Sequence, residues 1–381
     1  MKEVIAIKLL LFTDLHLGEK KYNTIEEEFE HYDFIFNQIQ DIITAHKVDS
    51  VIFLGDMFHS VLSLSLPVLV YLKDRLSRFS QFTNIVLLSG NHDQKDTSRN
   101  QQLLSIFADK NIDIISSSYY HYFSSLNVGL FFVSFMNNQS LYSMINNVKS
   151  SNIVNFDAEN FLFGHFALYP ESYSLYKTYN AISYDKTVDF FSKFKYIFLG
   201  HIHSLSSFSN VVYLGSAVYH NFQDSAVLFD DVFTLQPRYA YILDIASNNT
   251  KIEPIELQQD EYFITLYSDK IYDENYKNSY TSFLNSHPNV NCRIILNDVN
   301  DYSSFISDLK KHVNVKKIKI ETNIKSAAAF NLDKTNFDLT DIHSIDSKKM
   351  ILDSINNDKL ITDENIRNKI ISELQLLYSK I

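Results

Sequence analysis

The sequence predicts an α/β protein in which two β-sheets pack between helices, an αββα sandwich, followed by a small α+β domain and a C-terminal helical tail. Short apolar runs alternate with helical patterns over residues 1–135, strand-like runs then follow with little helix between them, and the pattern changes near residue 257. Strands that alternate with helices form right-handed crossovers and a mostly parallel sheet. The predicted parts are 1–256 (sandwich), 257–321 (small domain), 322–345 (linker) and 346–381 (helical tail).

The first sheet is predicted from the N-terminal strands and helices. Leu9–Thr13 is an apolar run without a small-residue cleavage site, so we interpret it as a buried strand and not as a signal peptide. Apolar residues then recur at spacings of three and four from Ile25 to Ile43, which predicts an amphipathic helix. Leu66–Phe79 has Pro67 in its first turn and predicts a second helix.

A second sheet is predicted from five later runs of strand-like sequence. They are Gly129–Met136, Phe161–Phe166, Tyr196–His201, Val211–Gly215 and Tyr239–Ile245. Packing this sheet on the first one gives the sandwich.

The C-terminal third predicts a β-α-β-α-β module and then a tail of two helices. The module consists of Glu261–Tyr267, Tyr276–Ser286, Asn291–Leu296, Tyr302–His312 and Val315–Glu321. The tail helices are expected at about 346–356 and 363–380, the second with Thr362 as N-cap. Its apolar stripe of Ile366, Ile370, Leu374 and Leu377 fits a groove on a partner protein. Self-association, or packing back on the small domain, is the alternative.

Composition restricts the class of protein. The single cysteine, Cys292, excludes internal disulfides and fits a reducing cytoplasm, where we expect the protein to be located. No apolar stretch approaches the roughly 20 residues of a membrane span, so no membrane partner is expected. The formal net charge of −11 counts against tight binding of bare nucleic acid by the chain alone.

Metal-type side chains follow five of the apolar runs. They are Asp14 and His16, then Asp56, then Asn91 and His92, then His165, and finally His201 and His203. Ligands in open α/β sheets bind beyond the carboxyl ends of the strands, so these residues are expected to converge. Imidazole with carboxylate suits Mn, Fe or Zn better than Mg or Ca. Taken alone, Asp14-Leu15-His16 is more often a chance match than a metal site, Gly55-Asp56 more often caps a turn, and a single buried histidine is more often a core residue. Five such motifs in this order nevertheless indicate a metal site.

The motifs DLHLG, GDMFH, GNHD, GHF and GHIH resemble those of the calcineurin-like metallophosphoesterases. Within that family, GDMFH is similar to the SbcD-type double-strand-break-repair nucleases, whereas phosphoprotein phosphatases carry G-D-x-x-D-R-G where this chain has His59-Ser60-Val61. The C-terminal third resembles a capping domain followed by partner-binding helices, as in the nuclease subunits of the recombination endonucleases of large tailed phages. The resemblance implies a DNA nuclease of recombination and repair, located in the host cytoplasm if a phage encodes it.

The same resemblance implies roles for individual residues. One cation would bind Asp14, His16, Asp56 and His203, and the other Asp56, Asn91, His165 and His201. His92 would face the scissile phosphate, with His59 orienting it or touching the phosphate. The expected cofactors are two divalent metal ions, with Mn²⁺ preferred. The expected partners are DNA and an SbcC-type coiled-coil ATPase, with a homodimer as an open alternative.

A basic cluster in the small domain is a candidate DNA contact. It consists of Lys310, Lys311, Lys316, Lys317 and Lys319, and the alternative is a solvated strand face. Two other functions also remain open at this point. One is a small-molecule or cyclic-nucleotide phosphodiesterase with the same metal site, and the other is an inactive scaffold that recruits the ATPase.

Overall fold

The computed structural model describes residues 6–19, 22, 24–94, 103–151, 153–246, 249–297 and 302–322. The strands in chain order are β1 Ala6–Phe12, β2 Ser50–Phe53, β3 Asn84–Leu88, β4 Ile112–Ile115, β5 Ser118–Phe123, β6 Val128–Val133, β7 Glu159–Gly164, β8 Leu168–Tyr169, β9 Ile182–Ser183, β10 Tyr196–Leu199, β11 Ser206–Phe208, β12 Val211–Tyr213, β13 Val227–Phe229, β14 Val232–Thr234, β15 Arg238–Ala246, β16 Asn249–Leu257, β17 Tyr262–Tyr267, β18 Val290–Leu296 and β19 Val315–Thr322. The helices are α1 Ile25–His46, α2 Leu66–Phe79, α3 Asn138–Ser150, α4 Ser174–Thr178, α5 Tyr184–Phe191, α6 Glu274–Ser286 and α7 Ser303–Lys311.

Two six-stranded sheets form the centre of the molecule. The first has the order β16-β15-β1-β2-β3-β4, and its strands β1 to β4 are parallel. The second has the order β11-β12-β10-β7-β6-β5, with β12, β10, β7 and β6 parallel. Parallel strands direct all their carboxyl ends to one edge, so the residues that follow them are brought close together.

Helices cover the outer face of each sheet, which gives the expected four layers. Helices α1 and α2 pack on the first sheet through residues such as Phe36 and Leu72, and α3 and α5 pack on the second through residues such as Ile145 and Phe190. A third apolar cluster, including Leu11 and Phe163, lies between the sheets. The αββα sandwich is confirmed, as is the helix over Leu66–Phe79.

The strand at Tyr239–Ile245 belongs to the first sheet, so its expected place in the second sheet is wrong. It is part of β15, which pairs antiparallel with β1, with Leu9 opposite Leu243. Ala240 and Ile242 of β15 contact the core under α1 and α2, whereas Leu243 contacts the core between the sheets. Apolar residues on both faces fit an inner strand of either sheet, so the sequence could not distinguish them.

The region after β16 forms a three-stranded parallel sheet in the order β17-β18-β19, with α6 and α7 on one face. These five elements match the predicted β-α-β-α-β order. The division at residue 257 stays a prediction. The predicted linker and tail helices, with Ile366, Ile370, Leu374 and Leu377, lie outside the described residues. No helix in the described part of the chain combines the length and the apolar character that crossing a bilayer requires.

Candidate metal centre

The predicted ligands gather where the carboxyl ends of both central sheets meet. Four of them have a left-handed backbone, with φ of 54° at Asp14, 51° at His16, 54° at Asp56 and 77° at His201. Residues other than glycine rarely adopt this conformation, and such strain concentrates at functional sites. The backbone thus turns sharply after three strands and directs the side chains inward.

A glycine permits the closest approach between two of these turns. A Cβ at Gly90 would overlap the side chain and the backbone nitrogen of Asp56. The turn after β3 can therefore lie directly against the turn after β2 only because residue 90 has no side chain. This contact also lets the backbone N–H of His92 donate to Oδ1 of Asp56 at 2.8 Å.

The first set of side chains consists of Asp14, His16 and His203. Nε2 of His16 lies 3.1 Å from Nε2 of His203. Oδ1 of Asp14 lies 3.8 Å from Nε2 of His16 and 3.7 Å from Nε2 of His203. This buried carboxylate oxygen has no hydrogen-bond partner among the described residues, while Oδ2 of Asp14 accepts from Thr13 and from the backbone of His201. Three ligand-type atoms thus face one point.

The second set consists of Asn91, His165 and His201. Oδ1 of Asn91 lies 2.8 Å from Nδ1 of His201 and 3.1 Å from Nε2 of His165. The other ring nitrogen of His165, Nδ1, donates to the carbonyl of Leu54 at 2.6 Å. Once the ring is neutral, this hydrogen bond fixes the tautomer that leaves the lone pair on Nε2, an arrangement common for histidines that bind metals.

Asp56 lies between the two sets. Its Oδ2 is 3.2 Å from Nε2 of His165 and 3.8 Å from Nε2 of His16. A single carboxylate oxygen therefore faces both sets, while Oδ1 holds the backbone of His92. A carboxylate in this position would be able to contribute to the binding of both cations.

The donor set fits two divalent cations. A buried carboxylate oxygen without a hydrogen bond is costly unless a positive charge lies beside it, and Asp14 Oδ1 is such an oxygen. Closely spaced imidazole nitrogens are likewise costly without a shared proton or a metal. The mixture of imidazole, carboxylate and amide oxygen suits first-row transition metals. The structure brings all seven predicted ligands together.

The backbone carbonyl of His59, and not its side chain, orients the ring of His92. Nδ1 of His92 donates to the carbonyl oxygen of His59 at 2.5 Å. The ring of His92 lies 4.8 Å from the ring of His16, measured between centroids, and the ring of His59 lies 5.7 Å from that of His92. Because Nδ1 is used in this hydrogen bond, Nε2 is the ring nitrogen of His92 that could contact a substrate bound beside Asp14, His16 and His203.

Asp93 is a buried residue in the turn that follows β3. Its buried carboxylate accepts hydrogen bonds from the backbone N–H groups of Gly90, Phe58 and Met57, at 3.0, 3.0 and 3.3 Å. Burial, together with the nearby charge of Asp56, raises the pKa of Asp93 to about 6. Asp93 therefore ties the turn after β2 to the turn after β3.

The charges of the site support metal binding and make it depend on pH. Burial alone would lower the pKa of His165, but the carboxylate of Asp56 raises it to about 9. Burial and the neighbouring His165 lower the pKa of His201 to about 4. Burial would raise the pKa of Asp56, but His165 lowers it below its usual value. In the metal-free protein at neutral pH, His165 is therefore protonated, and His201 is neutral.

We expect metal binding to release a proton from His165 at neutral pH. A cation and a proton compete for the same lone pair, so affinity for the cation should rise roughly tenfold per pH unit up to about pH 9. Titration calorimetry with Mn²⁺ in two buffers of different ionisation enthalpy measures the protons released. Heats that do not depend on the buffer between pH 6 and 8 would contradict this expectation.

One residue at the site carried no signal in the motif pattern. His220 is buried beside the first set, and its ring centroid lies 4.8 Å from that of His16 and 5.0 Å from that of His203. His220 lies in a loop and does not directly follow a strand, so the strand-end pattern that predicts the other ligands does not include it. Its position five residues after Gly215 is the one signal that could have found it.

The predicted lysine cluster divides between α7 and β19. Acidic groups lie beside several of these lysines: Lys311 lies 3.1 Å from Asp308, Lys316 lies 3.4 Å from Glu261, and Lys319 lies 2.8 Å from Glu321. Lys310 and Lys317 complete the cluster at the end of α7 and on β19. The structure does not test a DNA role for these lysines, which stays a prediction.

The chain belongs to the calcineurin-like phosphoesterase family, whose model matches residues 7–205. All seven predicted metal ligands lie within the matched residues. A relative, the DNA double-strand break repair protein Mre11 of Saccharolobus solfataricus, is 35% identical over 95 residues, which cover 23% of each chain. The match thus spans under a quarter of that relative's length.

Two solved structures are also similar to the chain. One is a dimetal phosphatase from Danio rerio, with a TM-score of 0.41 and 10% identity over 66% of this chain and 97% of the other. The other is a single mutant of Vps29 from Entamoeba histolytica, with a TM-score of 0.29 and 10% identity over 66% of this chain and 100% of the other.

Proposed function

We propose that this chain is a two-cation DNA nuclease that hydrolyses phosphodiester bonds in recombination and double-strand-break repair. The observation that carries the proposal is the position of Asp56 Oδ2 between two sets of ligand-type side chains, with His92 attached to the same carboxylate. The similarity to Mre11 over 95 residues supports a nuclease within the family.

The first cation would be held by Asp14, His16, His203 and Asp56, and the second by Asn91, His165, His201 and Asp56. Bound cations supply Lewis acidity toward the phosphate and activated water at neutral pH. Manganese is our preferred metal, because imidazole and amide ligands together suit it better than magnesium.

The chain's own residues supply the remaining chemistry. His59 fixes the ring of His92 through its carbonyl, so Nε2 of His92 can hold a proton beside the phosphate and deliver it to the leaving oxygen. Asp93 keeps the two turns that carry Asp56 and His92 together. The family's phosphodiester reaction needs such a donor because an alkoxide is a poor leaving group.

The proposed partners rest on the sequence alone. DNA would meet the site along the lysine cluster of the small domain, and an SbcC-type ATPase would bind the tail stripe from Ile366 to Leu377. A location in the cytoplasm likewise stays a prediction from the cysteine content.

End-labelled duplex DNA tests the proposed function. With Mn²⁺ we expect the 381-residue chain to shorten or cut the DNA, and EDTA to abolish this activity. Addition of the ATPase subunit should increase the rate on duplex ends. A protein that hydrolyses bis(p-nitrophenyl) phosphate but leaves DNA intact under every condition would refute the nuclease proposal and favour a small-molecule phosphodiesterase.

A further inference from the structure

The backbone at Asp14 is held by the ring of His220. Nε2–H of His220 donates to the carbonyl oxygen of Asp14 at 2.8 Å, and His220 is only 3% exposed. Asp14 is one of the residues in the left-handed conformation, with φ of 54°. A strained backbone needs such support, because the surrounding structure must over-determine it.

A buried ion pair extends this support to His203. Asp224 accepts the backbone N–H of His220 on Oδ2 at 2.9 Å and the guanidinium of Arg238 on Oδ1. The other terminal nitrogen of the Arg238 guanidinium, Nη1, donates to the carbonyl oxygen of His203 at 2.6 Å. The side chains of Asp224 and Arg238 are 5% and 3% exposed. One buried carboxylate is thus connected to the backbone at both Asp14 and His203.

The second set of ligands has different supports. The carbonyl of Leu54 orients His165, and Asp93 holds the turn that carries Asn91 through the backbone of Gly90. The two halves of the metal centre therefore have different supports. They are joined at Asp56 and by the hydrogen bond from the backbone N–H of His201 to Oδ2 of Asp14.

We propose that His220, Asp224 and Arg238 are positioning residues that act mainly on the affinity of one cation, the one held by Asp14, His16 and His203. This inference rests on the proposed two-cation function. The three residues act through the backbone of two ligands. Partners of this kind orient metal ligands, and removing them typically weakens metal affinity about 10–100-fold.

The main test compares His220→Leu with His220→Gln. Leucine fills much of the space but cannot donate to Asp14, whereas the amide of glutamine places a donor near the position of Nε2. We expect His220→Leu to bind one Mn²⁺ nearly as tightly as the unaltered protein and the other about 10–100-fold more weakly. His220→Gln should recover most of that loss. Titration calorimetry of the metal-free proteins measures both affinities, and His121→Leu, an exposed histidine on β5, is the matched control.

A second variant tests the ion pair. Arg238→Met removes the hydrogen bond to the His203 carbonyl, and we expect the same selective loss of one cation. Arg75→Met is its control, since Arg75 pairs with Asp33 between α1 and α2, away from the metal centre. Electron paramagnetic resonance at one and two equivalents of Mn²⁺ distinguishes paired ions from isolated ones, and circular dichroism confirms that the variants are folded.

The outcomes separate this inference from the proposed function. Two tight cations in His220→Leu, or equal weakening of both, would overturn the inference and leave the nuclease proposal intact. Failure of His220→Gln to recover affinity would also overturn it, because the donor to Asp14 would then be irrelevant. Binding of fewer than two cations by the unaltered protein would instead overturn the two-cation function.

Discussion

Replacement of Asp56 by asparagine should abolish hydrolysis and remove at least one cation. The amide oxygen of asparagine can still accept the backbone N–H of His92, but its NH₂ group would replace the oxygen that faces both sets. An NH₂ group is not a metal ligand, so the shared position is lost. Cations supply several kcal/mol of transition-state stabilisation, so we expect the rate to fall by roughly 10³-fold or more.

Metal content by mass spectrometry and the rate on end-labelled DNA measure these two effects. Asp113→Asn is the matched control, because Asp113 is an exposed aspartate on β4. Burial would raise the pKa of Asp56 but His165 lowers it, so the carboxylate is ionised at neutral pH and its replacement removes a full charge. An Asp56→Asn protein with two tightly bound cations and most of its activity would refute the bridging role.

Replacement of His92 by alanine should reduce DNA hydrolysis by roughly 10²–10⁴-fold without changing metal content. His92 is attached to Asp56 only through its backbone N–H, which alanine retains. Its ring is held by the carbonyl of His59, so the side chain itself is not needed to form either set of ligands. The loss should therefore appear in kcat, with the cations still bound.

A comparison of two substrates with different leaving groups tests whether the ring of His92 donates a proton. Hydrolysis of DNA expels an alkoxide that needs a proton, whereas bis(p-nitrophenyl) phosphate expels a phenolate that leaves without one. We expect His92→Ala to slow the second reaction much less than the first, with His121→Ala as the control. Equal losses on both substrates would show that His92 stabilises phosphate charge and does not donate a proton.

Local patterns in the sequence predicted much of the fold and of the site. Helix α2 was predicted from Pro67 and the apolar spacing that follows it, because these features act within a few turns of the chain. The ligands at Asp14, Asp56 and His165 were predicted because each follows an apolar strand, and the carboxyl ends of parallel strands meet at one edge. Alternation and strand-end position are properties of neighbouring residues, so a single sequence contains them.

Contacts between distant segments were decided only by the tertiary structure. The pairing of β15 with β1 joins residues more than 200 positions apart, and a strand that is apolar on both faces does not specify its neighbour. A loop places His220 at the metal centre, where its ring contacts the backbone of Asp14. The ring of His92 is oriented by the carbonyl oxygen of His59, a backbone atom that every residue type has. The sequence by itself therefore determined which residues could bind the cations. The packing of the two sheets determined which atoms face one another, because distances between remote segments depend on the whole core and not on local pattern.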